Sequence, residues 1–89
     1  MKLVIFEKED CEACRNAKTK VNFFLEKWGV ADSIDRQSIN VSTSDGLVEA
    51  AMQEVGDIPT IILERDGEEI ARWSKRAPKS EDLRAKLGV

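Results

Sequence analysis

Both cysteines of this chain stand together, as Cys11-Glu12-Ala13-Cys14, directly after the apolar run Leu3-Val4-Ile5-Phe6 and at the head of a helical pattern. A pair so placed ties a strand, a short loop and a helix into one unit with two sulfurs at the helix start. The first turn of a helix has unpaired backbone N–H groups and the positive end of the helix dipole, so a thiolate there is favoured over a thiol. Cys11 is therefore the expected nucleophile, exposed at the helix end. Cys14, one turn along the same face and sheltered, is placed to resolve a mixed disulfide formed by Cys11.

Other uses of the pair fit less well. As a structural staple, so small a loop gains only about 2 kcal/mol in the chain-entropy picture. A zinc site needs four ligands, usually Cys and His, and the chain has no His and no third Cys. Two idle cysteines remain a third reading. The 89 residues suit one domain spanning 1–89, with 42% hydrophobic residues for its core. A net charge of −3 gives no footprint for nucleic acid, and apolar runs of four residues are too short for a membrane span. Met1-Lys2 leads straight into a strand with no secretory h-region, so the cytoplasm is the expected compartment.

The pattern reads as one alternation of elements. Residues 2–6 are apolar on both faces, as in a central strand covered on each side. Asp10 is the expected cap of a helix running to about Trp28, with Cys14, Ala17, Val21, Phe24, Leu25 and Trp28 at spacings of three and four, and Gly29 ending it. A second strand falls near 35–41, marked by Ile39 and Val41. Ser42-Thr43-Ser44-Asp45 then resembles a capping box, and Leu47, Val48, Ala51, Met52 and Val55 form the expected inward stripe of a second helix closed by Gly56. Residues 60–64 read as a strand, Asp66-Gly67 as a two-residue turn and Glu69 to Trp73 as the returning strand. Pro78 blocks further pairing, Ser80 caps, and Leu83 and Leu87 face inward from a helix stopping at Gly88. The order is βαβαββα, an α/β fold with a mixed four-stranded sheet between helical layers.

That order, with C-x-x-C opening the first helix and Ile58-Pro59-Thr60 opening the third strand, resembles the minimal thioredoxin fold of thioredoxins and glutaredoxins. The resemblance covers nearly the whole chain. Val55 to Leu63 with Asp66-Gly67-Glu68 is similar to thioredoxins, whereas Val4 to Cys11, with Lys8 three residues before the first cysteine, resembles glutaredoxins, as does the length. It implies a cis Pro59 beside the dithiol, and an Ile58 whose backbone bonds an extended substrate. Lys8 is a further candidate substrate contact. The chain departs from thioredoxins in having Asp10 before the motif and Glu12-Ala13 inside it, and no acid in Val4-Ile5-Phe6. It departs from glutaredoxins in carrying Arg72-Trp73-Ser74-Lys75 where they place Gly-Gly, Cys or Ser, and the Asp that holds a glutathione carboxylate.

The resulting expectation is a cytoplasmic, monomeric dithiol–disulfide oxidoreductase that reduces protein disulfides, with no cofactor. A thioredoxin-reductase-like enzyme or glutathione would recharge it. A glutathione-dependent glutaredoxin is the alternative enzyme, and a redox-sensing or partner-binding module the alternative of another class. Glu7, Glu9, Asp10 and Glu12 oppose a thiolate, while Lys8, Arg15 and Lys18 favour one. Arg72, Trp73, Lys75 and Arg76 form a basic segment that could face an acidic partner or a glutathione carboxylate.

Overall fold

The computed structural model describes all 89 residues. Four strands form one mixed sheet in the order β2-β1-β3-β4. The strands are β1 (Lys2–Glu7), β2 (Asp35–Asn40), β3 (Thr60–Arg65) and β4 (Glu68–Ser74), and the helices are α1 (Glu12–Lys27), α2 (Ser44–Met52) and α3 (Ser80–Leu87), with a 3-10 turn at Ala31–Ser33. β1 runs parallel to β2 and antiparallel to β3, and β3 and β4 form an antiparallel hairpin. Asp66 and Gly67 both take positive φ at its tip (54° and 82°), the conformation that an Asp-Gly turn supplies most easily. No helix is long and apolar enough to cross a membrane.

Alternation along the central strands divides the core in two. Leu3, Ile61 and Leu63 meet Ala17, Val21 and Leu25 of α1 and Leu83 and Leu87 of α3 on one face. Val4, Phe6 and Ile62 meet Ala50 of α2 on the other. Phe24 and Trp28 stack at 5.5 Å and pack against the larger cluster.

α2 departs from its sequence reading in three ways. Its N-cap is Thr43, whose hydroxyl accepts from the Gly46 N–H at 3.0 Å; Ser42 instead accepts from the Glu9 N–H at 3.1 Å. The helix ends at Met52, four residues before Gly56, in a Schellman turn. Glu54 takes the left-handed position (φ 56°), and the N–H groups of Glu54 and Val55 return to Ala51 O and Ala50 O. Most consequentially, the face turned to the sheet is Gly46 and Ala50, while Leu47, Val48, Ala51 and Met52 point outward. Close approach is the cause: a Cβ on Gly46 would lie 1.8 Å from Asn40 O, so only small residues fit underneath.

α2 lies across the strands rather than along them. Its start rests on Asn40 of β2 and its end is held by Arg72 of β4. Three strand spacings total about 14 Å, and Arg72 is in register with Gln37 rather than Asn40, so the helix crosses the sheet obliquely, from β2 toward the opposite edge. Arg72 donates to Gln53 O at 2.7 Å and Glu54 O at 2.9 Å, and grips both Glu69 carboxylate oxygens at 2.7 and 2.9 Å. Residues three apart in a regular strand face opposite ways, but the register shifts by one at Leu63/Glu64, leaving Ile70 as an extra residue. That bulge brings Glu69 to the side of Arg72.

Candidate functional site

β1 delivers the chain to the site. Beyond Glu7, residues 8–10 form a short exposed loop, fastened where Glu7 O accepts from the Val41 N–H at 2.8 Å and where the Glu9 N–H meets Ser42. Asp10 turns the chain with φ 54° and is not the helix cap. Cys11 takes that position itself: its backbone is extended (φ −112°, ψ 101°) and its sulfur accepts from the Cys14 N–H at 3.1 Å. A side chain pointing back at its own first turn is what an N-cap requires, and a sulfur there meets both the free N–H groups and the positive end of the dipole.

Cys11 and Cys14 are joined in a disulfide with Cα atoms 5.2 Å apart. Cys14 is 1% exposed and Cys11 8%. The expected order of exposure is present, but Cys11 is buried rather than exposed, because its bond to Cys14 folds the side chain over the helix end. Lys18, on the face of α1 that carries Cys14, pairs with Glu7 at 3.1 Å, so two of the charges near the motif neutralise each other. Lys8, Glu9, Asp10, Glu12 and Arg15 are solvent-exposed.

The start of β3 lies at the same end of the sheet. Phe6 pairs with Thr60, which places Pro59 beside the end of β1. The Ile58–Pro59 bond is cis, and Pro59 is fully buried. Thr60 donates its hydroxyl to Asp57 O and closes the turn before it. Pro59 O accepts from the Lys75 N–H at 2.7 Å, and Lys75 sits at φ 76° just past β4. Ile58 is half-buried, and its N–H and C=O have no partner within the protein.

The basic segment does not act as one patch. Arg72 faces α2 and is fully occupied there; its guanidinium and the Glu69 carboxylate each stabilise the other's charged form, so Glu69 titrates below its ordinary value and Arg72 above. Trp73 and Arg76 line a cleft of about 700 Å³ with Lys20, Phe24 and Lys79, which Arg72 also borders although its guanidinium is bonded to Glu69 and the end of α2. Lys75 alone remains at the dithiol end. None of the three main clefts is lined by Cys11, Cys14, Ile58 or Pro59. The role that pattern reasoning missed is that of Arg72, which the bulge turns toward α2, whereas Lys75 lies at the end of the sheet expected for the basic segment.

No protein-family model matches the chain. No curated protein sequence matches it. Its backbone is similar to solved thioredoxin structures. Thioredoxin 1 of Thermosipho africanus superposes with a TM-score of 0.75 at 22% identity, covering 99% of this chain and 91% of that one. Thioredoxin-2 of a malaria parasite, described as a component of protein secretion machinery, superposes at 0.74 with 24% identity, covering 98% and 80%. Trxlp of Edwardsiella tarda gives 0.76 at 19% identity, covering 97% and 80%. Strand order, helix placement and these superpositions agree along nearly the entire length, and the chain has the thioredoxin fold, its two cysteines joined where the first helix begins.

Proposed function

We propose that this protein is a dithiol–disulfide oxidoreductase whose substrates are disulfides of other proteins. The observation that carries the reading is the site's form: a helix-capping sulfur and an unpaired Ile58 backbone at the same end of the sheet, outside the three main clefts. An unpaired N–H and C=O at a strand start can take up an extended segment as an added strand. A small ligand, by contrast, is usually held in a concave site.

In the reduced protein the Cys11 thiolate attacks one sulfur of the substrate disulfide. The other substrate sulfur leaves as a thiolate and takes a proton. Cys14, deprotonated, then attacks Cys11, releases the second substrate thiol and forms the intramolecular disulfide. Two electrons pass from the dithiol to the substrate, and a reductase or two molecules of glutathione return them. A helix N-terminus favours a thiolate over a thiol, but a less basic thiolate is also a weaker nucleophile, so the gain in attack rate from this placement is modest. The helix end contributes as much by making Cys11 a better leaving group for Cys14. Pro59 holds the start of β3 at the end of β1, and Lys8 and Lys75 add positive charge at that end of the sheet.

Glutathione as the main substrate is less favoured, because Arg72, the residue best suited to a carboxylate fork, is already occupied by Glu69 and the end of α2. Turnover of insulin disulfides, driven in parallel by a thioredoxin reductase or by glutathione, tests the assignment. Cys11→Ser should abolish it, and Cys14→Ser should trap a mixed disulfide with insulin. Efficient turnover of a glutathione mixed disulfide, retained in Cys14→Ser, would overturn it.

A further inference from the structure

α2 presents an apolar stripe to solvent. Leu47 is 58% exposed, Val48 59% and Met52 74%, three of the five large hydrophobic side chains that the molecule leaves open. The orientation is locked, since turning any larger side chain toward the sheet would drive it into the Asn40 backbone. A contiguous apolar face on a well-anchored helix is where a macromolecule docks. Nothing in the chain is free to cover it, because every residue is placed elsewhere in the fold.

The rim identifies the occupant. Asp45 and Glu49 lie on α2 itself and Glu54 and Asp57 just after it, and no Lys or Arg occurs between Gln37 and Glu64. Arg72, which holds the end of α2, is paired with Glu69. A second copy meeting the first through this stripe would oppose like-charged rims, and an anionic lipid surface would be repelled. We infer that the outward face of α2 is a docking surface for a partner protein whose contact segment is apolar and ringed by Lys and Arg. The surface adjoins the Gln53–Pro59 connection leading to the dithiol, but the inference does not rest on redox activity.

The test uses the isotopically labelled full chain and two synthetic amphipathic helical peptides with the same leucine pattern, one with Lys and one with Glu at every polar position. The Lys peptide should shift amide signals concentrated in 44–57, and its binding should weaken as salt rises. Leu47→Ser/Met52→Ser, which alters only exposed side chains, should weaken it by about tenfold or more. Asp45→Asn/Glu54→Gln keeps the stripe and should weaken the Lys peptide severalfold, which protects the test if the first variant folds poorly. Cys11→Ser/Cys14→Ser should bind unchanged, separating this surface from the proposed chemistry. Equal binding of both peptides, shifts centred elsewhere, a concentration-dependent dimer dissolved by Leu47→Ser/Met52→Ser, or binding to anionic vesicles would each overturn the proposal.

Discussion

Replacing Gly46 by alanine should destabilise this protein, although the same change inside an exposed helix gains about 1 kcal/mol of helix propensity. The added methyl would sit 1.8 Å from Asn40 O and 2.5 Å from Asn40 C, where 3.0–3.4 Å is already tight. Both atoms are backbone, so α2 must lift at its N-terminal end by roughly 1.2–1.6 Å in an interior with little slack. Lifting stretches the bond from the Gly46 N–H to Thr43, worth about 1 kcal/mol as a cap. It also draws Ala50 from Val4, Phe6 and Ile62, and overpacking of this kind costs about 1–3 kcal/mol. After subtracting the propensity gain, the net loss is about 2 kcal/mol. Urea denaturation followed by the fluorescence of Trp28 and Trp73 would show the midpoint falling by about 1–2 M at an unchanged slope. Gly56→Ala is the control: open space surrounds it and its φ is not positive, so it should be neutral or stabilising by up to about 1 kcal/mol. A Gly46→Ala protein as stable as the parent would refute the claim that α2 is seated by close backbone approach.

Arg72→Leu removes the hold on the end of α2 and should cost about 1 kcal/mol, discounted for the partial exposure of the pair, or roughly 4–8 °C in Tm; calorimetry reads it. Glu54→Gly relieves a left-handed residue and should raise stability by about 1 kcal/mol in the same urea assay, the direction being decisive. Because Arg72 holds the Glu69 carboxyl below its ordinary 4.5, the pair's contribution is fully present above that value and is lost as pH falls through the lower folded value; the stability gap between the parent and Glu69→Gln should be flat near neutrality and close only in acid. In the reduced protein, alkylation near neutral pH should label Cys11 before Cys14, as mass spectrometry of the peptides would show.

Much of this architecture is legible in the residues because local and global preferences agree. Leu3 to Phe6 reads as a doubly covered strand and is one, Asp66-Gly67 makes the hairpin, and Gly29 closes α1 at φ 71°. The cysteine pair announces itself by position alone. α2 defeats the same reasoning because hydrophobicity and fit conflict there: the stripe with the larger side chains looks like the core face, yet the sheet admits only Gly46 and Ala50. The cap at Cys11 instead of Asp10 is hidden because sulfur is a weak acceptor that sequence rules do not rank beside Asp. Arg72 is misread as surface charge since its partners, Gln53, Glu54 and Glu69, converge only through tertiary placement and a one-residue bulge.

The ladder between β1 and β3 joins residues 54 to 62 positions apart, whereas β3 and β4 meet across a tight turn. The middle of the sheet is therefore the last part the chain can close, since it requires the longest loop, while both flanks assemble from neighbours. During synthesis, β1, α1 and β2 emerge as a unit whose inner edge, Leu3 to Phe6, is unpaired and apolar until β3 leaves the ribosome. That interval is when a newly made chain is most exposed to pairing with another copy.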